Sequence, residues 1–186
     1  MYKRIATAAM FMALLTSPTV DAQTEPDMTL IISAVGGLTA PTGAYSDEWK
    51  QSASYGLEID YMLAPEWAVT GTGSYGSAEA RFTSVTDKAK VIELSGGMKY
   101  IISPTPTVKP HVRFSLGLYN RDVGSSTTET NFGVSGGGGI DLYLPNSPIG
   151  FSGVARIHKI FITSTSTQTG DWEFFHLWAG VRLKVM

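Results

Sequence analysis

The segment 172–185 alternates strictly between two kinds of position. Every second residue from Phe175 to Val185 is apolar, whereas the intervening positions include His176 and Arg182. A period of two residues is that of a β-strand, whose successive side chains point to opposite faces of a sheet. The segment therefore restricts the fold to a sheet with one wholly apolar face, which either protein or lipid must cover.

Seven further segments alternate in the same way, and together they predict eight strands. The strands lie at about 28–39, 53–63, 67–77, 90–102, 110–120, 131–144, 149–162 and 172–185. Clusters of Gly, Pro, Ser, Thr and Asn separate them, and no segment after Ala22 has helical periodicity. A membrane β-barrel uses strands of about 9–11 residues, in an even number in bacteria. The pattern fits that requirement.

The connections between these strands alternate in length. Those at 64–66, 104–109 and 145–148 are short and contain proline, whereas those at 40–52, 77–89, 121–130 and 163–171 are longer or more polar. Short turns at one end and long loops at the other are typical of outer-membrane barrels.

Charged residues share the polar faces, and they lie at similar depths on neighbouring strands. We predict that they form a paired network inside the barrel, made of Glu58, Asp60, Glu93, Lys99, Arg113, Asp141, Arg156 and Arg182. Buried charges need such partners. In a lumen of eight strands, which side chains just fill, the network favours a salt-bridged plug over a conducting channel.

Two observations indicate that the apolar face points outward. Its side chains are too bulky for the interior of an eight-stranded barrel. Aromatic residues also gather near the strand ends, as in the interfacial girdles of membrane barrels. They are Tyr55, Tyr75, Phe132, Phe161 and Trp172 on the long-loop side, and Tyr61, Trp67 and Tyr100 near the short turns. The predicted fold is therefore an all-β, eight-stranded, antiparallel up-and-down transmembrane β-barrel.

The first 22 residues have the layout of a secretory signal peptide. Lys3 and Arg4 precede a short apolar run, and small residues end at Ala22. Residues 23–186 then form the barrel domain, which we expect in the outer membrane. The formal net charge is −2 and there is no basic run, so nucleic acid is not an expected partner. The chain contains no cysteine and therefore no disulfide.

The stretch 36–76, "GGLTAPTGAYSDEWKQSASYGLEIDYMLAPEWAVTGTGSYG", resembles the opening of small outer-membrane β-barrel proteins of the OmpA/OmpX and opacity-protein type. These proteins share a Gly-rich first strand, a "P-x-G-x-[FY]-S-D" loop and a strand ending in "Y-x-L-x-P". The resemblance extends over the mature chain and implies the barrel, but it implies no particular activity. Such barrels commonly finish on a lipid-facing aromatic residue that the assembly machinery reads. Here the outward set ends at Val185 and the last residue is Met186, which departs from that pattern.

Few residues suggest further chemistry. The glycine run in 133–141 lacks the Lys-Ser/Thr and the helix of a phosphate-binding loop, and it indicates close backbone approach beside large interior side chains. His158 and His176 are expected to be neighbours, and with Glu173 a metal site is conceivable, but a hydrogen-bonded network is the favoured interpretation. We therefore predict no metal, no cofactor and no catalytic residue. Tyr45 and Trp49 are candidate contacts in the first long loop.

The predicted function is that of a monomeric, non-enzymatic surface or structural protein, which displays extracellular loops in adhesion or envelope integrity. Its expected partners are outer-membrane lipid, the barrel assembly machinery and an extracellular ligand at the loops. Two alternatives stay open. One is an outer-membrane enzyme acting on lipid A or phospholipid, which needs a His/Ser/acid cluster at the rim. The other is a soluble lipocalin-like binder of an apolar ligand, with the two faces inverted.

Overall fold

Eight antiparallel strands close into a barrel in the computed structural model, which describes residues 29–43, 46, 50–79, 88–123, 129–162 and 171–185. The strands are β1 (Leu30–Thr42), β2 (Ser52–Ala64), β3 (Trp67–Glu79), β4 (Lys88–Ile101), β5 (Val108–Val123), β6 (Glu129–Tyr143), β7 (Ile149–Phe161) and β8 (Trp172–Lys184). Each strand pairs with the next in sequence, and β8 pairs with β1. Closure leaves no free sheet edge. The predicted eight-stranded up-and-down barrel is confirmed.

Several strands extend beyond the ends that the alternation indicated. Strand β5 runs over 108–123 rather than 110–120, and β6 begins at residue 129 rather than 131. Alternation marks only the part of a strand whose two faces meet different surroundings, whereas backbone pairing continues past it. None of the described residues belongs to a helix that is long and apolar enough to cross a membrane.

The outer face of the barrel is apolar and the inner face is polar. Leu57 and Leu94 are 59% and 69% exposed, whereas their chain neighbours Glu58 and Glu93 are 1% exposed. A soluble barrel would bury the apolar set and leave the charges in water. The observed distribution is that of a barrel surrounded by lipid, so the outward assignment of the apolar face is confirmed and the lipocalin-like alternative is excluded.

Aromatic side chains lie on the outer face at both ends of the barrel. Their rings pair across strands: Tyr55 with Tyr75 at 5.4 Å and Phe132 with Phe161 at 6.3 Å on the long-loop side, and Trp67 with Tyr100 at 4.8 Å near the turns. Trp172 is an error in the predicted girdle, because it is only 4% exposed and faces the interior. Its position in β8 has the same parity as His176 and therefore the same face.

Inward-facing glycines leave room for large interior side chains, as the glycine run indicated. A Cβ on Gly139 would lie 3.0 Å from the His111 ring and 2.3 Å from a backbone oxygen of β7. A Cβ on Gly133 would lie 2.7 Å from the Tyr119 ring. These positions accept no side chain without displacing a neighbour, so the glycines are required by packing in the lumen.

Two small apolar clusters lie in the interior, one near each end. Tyr119, Ile160, Trp172 and Phe174 form one at the loop end. Ile31, Met62, Ala68, Ile101 and Tyr143 form the other at the turn end. The polar interior lies between them, out of contact with lipid and largely out of contact with bulk water.

Candidate functional site

Four charged side chains from the even-numbered strands meet near the turn end of the interior. We call Asp60, Lys99, Asp141 and Arg182 the turn-side quartet. The Lys99 ammonium donates to Oδ2 of Asp60 at 2.9 Å and to Oδ2 of Asp141 at 2.6 Å. Arg182 contacts the same two carboxylates, donating to Asp60 and lying 2.5 Å from Oδ1 of Asp141. Each cation is thus shared by two anions, and each anion by two cations.

A second group of four charges lies at mid-height in the barrel. This central quartet consists of Glu58, Glu93, Arg113 and Arg156. Nη1 of Arg113 donates to Oε1 of Glu58 at 2.5 Å, and Nη2 of Arg156 donates to Oε1 of Glu93 at 2.6 Å. The two pairs are linked because Arg156 also lies 3.7 Å from Glu58.

Uncharged side chains complete the central quartet. Thr72 accepts from Arg113 at 3.1 Å, and Ser135 accepts from Arg156 at 3.0 Å. The Arg156 guanidinium also lies 5.4 Å from the centre of the Trp178 ring. Cations in a low-dielectric interior require this density of partners.

The two quartets contain all eight charged residues that the sequence placed in the interior. Each quartet has two carboxylates and two cations, so each has a formal charge of zero. Every one of the eight side chains is at most 5% exposed. The eight charged side chains therefore fill the lumen from the turn end to mid-height.

The loop half of the interior is built differently, from aromatic rings and two histidines. We call Tyr119, His158, Phe174, His176 and Trp178 the loop-side cluster. His158 stacks on Phe174 with ring centres 4.4 Å apart, and His176 stacks on Trp178 at 4.5 Å. The two imidazoles are themselves 4.5 Å apart. His158 and His176 are therefore neighbours across β7 and β8, as expected from the sequence.

The acidic residue beside this histidine pair is Glu93, whereas the sequence suggested Glu173. Residues 173 and 176 lie on opposite faces of β8, because side chains alternate along a strand. The Glu173 carboxylate lies instead 3.4 Å from the ammonium of Lys159, and both side chains are about two-fifths exposed. Glu93 reaches the histidines across the lumen from β4, a proximity that sequence separation does not reveal.

A pocket opens toward the loops above this group. It has about 440 Å³ of empty space, part of which is open to solvent. Trp172 and Phe174 form one wall, and Glu93 and His176 are among its lining residues. The pocket connects the histidine pair with the loop end of the barrel.

The arrangement around Glu93 is not that of a serine hydrolase. Ser74 donates to Oε2 of Glu93 at 2.9 Å, and Ser95 donates to Oε1 at 2.6 Å. A nucleophilic serine needs its proton directed at a base, normally an imidazole that a carboxylate orients. Both hydroxyl protons are directed at the carboxylate instead, so neither serine is activated in this structure.

Two interior rings add hydrogen bonds to the loop half. Tyr119 shares a hydrogen bond of 3.0 Å with Nδ1 of His158, and Trp178 donates to Ser54 at 2.7 Å. The alternation places both residues on the polar face, but it did not predict their partners. The candidate loop residues Tyr45 and Trp49 lie outside the described residues.

Comparisons with known proteins agree with this architecture. A family model described as the outer membrane protein beta-barrel domain matches residues 6–182. Among curated proteins, no sequence matches the chain significantly.

Solved structures of small outer-membrane barrels are also similar. Neisserial surface protein A superposes with a TM-score of 0.66 at 16% identity, covering 83% of this chain and 96% of that one. Ail, the attachment invasion locus protein of Yersinia pestis, crystallised with the heparin analogue sucrose octasulfate, gives 0.54 at 16% identity, covering 85% and 100%. The outer membrane enzyme PagL gives 0.50 at 15% identity, covering 81% and 97%. At these identities the likeness concerns the fold alone.

Proposed function

Because the chain belongs to the outer membrane protein β-barrel family, we propose that it is a non-enzymatic surface protein of the outer membrane. Its barrel acts as a closed, rigid scaffold, and its four long connections face the exterior. The chain works as a monomer in contact with outer-membrane lipid.

The filled interior is the observation that carries this proposal. Among the described residues, two neutral quartets and two apolar clusters occupy much of the lumen, which favours a filled scaffold over an open channel. A scaffold of this kind gains rigidity from its core and leaves binding to the loops. Two similar barrels, one called a surface protein and the other an attachment protein, fit a role in adhesion.

An enzyme of the outer membrane is the competing function, since PagL has a similar fold. The hydrogen bonds of Ser74 and Ser95 argue against it, because both hydroxyls donate to Glu93 rather than to an imidazole. Acyl transfer requires an imidazole between the serine and the carboxylate. In the described residues, Ser74 and Ser95 instead donate directly to the Glu93 carboxylate.

Two measurements test the proposal. Purified protein in detergent, incubated with lipid A or phospholipid, should leave both unchanged in thin-layer chromatography and mass spectrometry. A product that disappears in the variant His176→Ala would establish the enzyme instead.

The second measurement addresses the loops. A variant in which residues 124–128 and 163–170, which lie between strands, are replaced by short Gly/Ser turns should still migrate in a heat-modifiable way on a gel. It should lose attachment of expressing cells to a surface coated with extracellular matrix. Equal attachment by cells that express the parent protein and cells that express the variant, at equal amounts of protein, would contradict a role in adhesion.

A further inference from the structure

The histidine pair and Glu93 form a group with the composition of a metal site. Each of Glu93, His158 and His176 offers one ligand atom, and these atoms lie within 4.8 Å of one another. Two imidazole nitrogens with one carboxylate oxygen are a donor set of zinc sites that keep one position open. The three residues come from β4, β7 and β8, so that only the closed barrel brings them together.

The unused nitrogens of the two histidines are a second, independent observation. Nε2 of His158 and Nδ1 of His176 are buried and have no hydrogen-bond partner among the described residues. A buried polar atom without a partner costs free energy. Several side chains in this interior have such atoms, but in the described residues these two imidazole nitrogens are the ones that lie with a carboxylate in a group of metal-binding composition. Coordination of a cation would satisfy both atoms at once.

Tyr119 is placed to support the tautomer of His158 that a ligand needs. Its hydroxyl lies 3.0 Å from Nδ1, and when Nδ1–H donates to this oxygen, Nε2 carries the lone pair that coordinates. Metal-binding histidines almost always have such a partner on the other ring nitrogen, which fixes the tautomer and the ring orientation.

Arg156 is the main competitor for Glu93, and the structure gives it other partners. The guanidinium occupies Oε1 of Glu93, but it also contacts Glu58, Ser135 and the Trp178 ring. Oε2 of Glu93 accepts only from the Ser74 hydroxyl in the described part of the chain, and that hydroxyl can rotate away. The Glu93 carboxylate can therefore keep Arg156 on Oε1 and offer Oε2 to a metal ion.

We propose that Glu93, His158 and His176 bind a divalent transition-metal ion such as Zn²⁺ inside the loop half of the barrel. Bonds of about 2.0–2.2 Å in a tetrahedron place ligand atoms roughly 3.4 Å apart. Ligand atoms that now lie within 4.8 Å of one another must therefore approach by up to about 1.4 Å on binding. The fourth position faces the pocket that Glu93 and His176 line, through which the ion enters. The ion would link strands that otherwise meet there mainly through ring contacts.

The test uses untagged protein, because a polyhistidine tag would itself bind the probe. Full-length protein refolded in detergent and freed of metal with a chelator is titrated with Zn²⁺ in a calorimeter, and bound zinc is counted after dialysis. We expect one zinc per chain. Co²⁺ in place of Zn²⁺ should give the visible absorption of a four-coordinate site.

The chain has three histidines, so its third one supplies the matched control. His158→Ala and His176→Ala should each weaken binding by about 100-fold or more, since even partners of ligands contribute roughly 10–100-fold. Tyr119→Phe should weaken it by about 10-fold, and His111→Ala should leave it unchanged. Heat-modifiable migration verifies that each variant is folded. Absence of binding at micromolar zinc, or equal loss in all three histidine variants, would overturn the site.

Discussion

The two halves of the interior hold their polar groups by different means. In the turn-side quartet, Lys99 and Arg182 each contact both Asp60 and Asp141, so opposite charges hold the four side chains together. In the loop-side cluster, stacked rings surround His158 and His176, each of which keeps one ring nitrogen without a partner. Both halves contain buried polar atoms without a hydrogen-bond partner among the described residues. In the turn half they include atoms of the ion-paired Asp60, Asp141 and Arg182, whereas in the loop half two of them are imidazole nitrogens that a metal ion can bind.

Removal of a shared cation should have the largest effect. In Arg182→Met, the buried carboxylates of Asp60 and Asp141 share a single cation of the turn-side quartet, Lys99. We expect a loss of about 3–5 kcal/mol in the free energy of unfolding, the range for breaking a buried ion pair. Urea unfolding of the refolded barrel in lipid vesicles measures it. The double variant Arg182→Met/Asp60→Asn restores neutrality and should regain part of the loss; a double variant as unstable as the single one would refute the charge argument.

Arg113→Met should destabilise the barrel less than Arg182→Met, because Arg113 contacts one carboxylate, that of Glu58, whereas Arg182 contacts two. Glu58 also retains Arg156 at 3.7 Å, which can move closer when Arg113 is gone. The same urea titration ranks the two variants. If Arg113→Met lowers the free energy of unfolding more than Arg182→Met does, Arg156 does not replace Arg113 as the partner of Glu58.

A methyl group added in the lumen should lower the free energy of unfolding by less than the loss of either arginine. In Gly139→Ala the added carbon meets His111 and a backbone oxygen, so we expect a loss of about 1–3 kcal/mol from overpacking. Gly153→Ala is the matched control, because nothing lies within 4 Å of a Cβ there. The control should change the free energy of unfolding by less than about 0.5 kcal/mol. Equal effects at both positions would mean that the lumen is not tightly packed.

The smallest effect is expected in the loop-side cluster. His176→Phe keeps a ring of similar size against Trp178 and removes a buried nitrogen that has no partner. Without added metal, the free energy of unfolding should stay within about 1 kcal/mol of the parent value, or rise. A loss as large as that of Arg182→Met would show that His176 belongs to the charge network after all.

Alternation predicted the strands and divided their side chains into two sets, and the bulk of the apolar set, the matched charges and the aromatic girdles predicted which set faces lipid. The charges of Asp60 and Arg182 were placed inside in this way. Trp172 was misplaced because its ring was assigned by residue type and position near a strand end. In this interior, rings also pack on buried histidines and arginines, so the aromatic character of a residue does not determine its face.

Which charged residues contact one another could not be predicted from the sequence. Asp60 contacts Lys99 and Arg182, which come from two strands that are not its neighbours in the sheet. Such contacts cross the lumen, and their depth depends on the tilt and stagger of the closed barrel. Glu93 rather than Glu173 joins the histidines for the same reason. Residues 1–28, including the predicted signal peptide, lie outside the described residues, and the cleavage site stays a prediction.

If buried charges plug this outer-membrane barrel, it should not conduct ions, and electrical recording across a planar lipid bilayer measures this. Protein is inserted in 1 M KCl, and insertion is verified on matched vesicles by heat-modifiable migration. We expect no steady current steps above the baseline. Uniform, ohmic steps that scale with the amount of inserted protein, and that change in size in Arg182→Met, would contradict a plugged lumen.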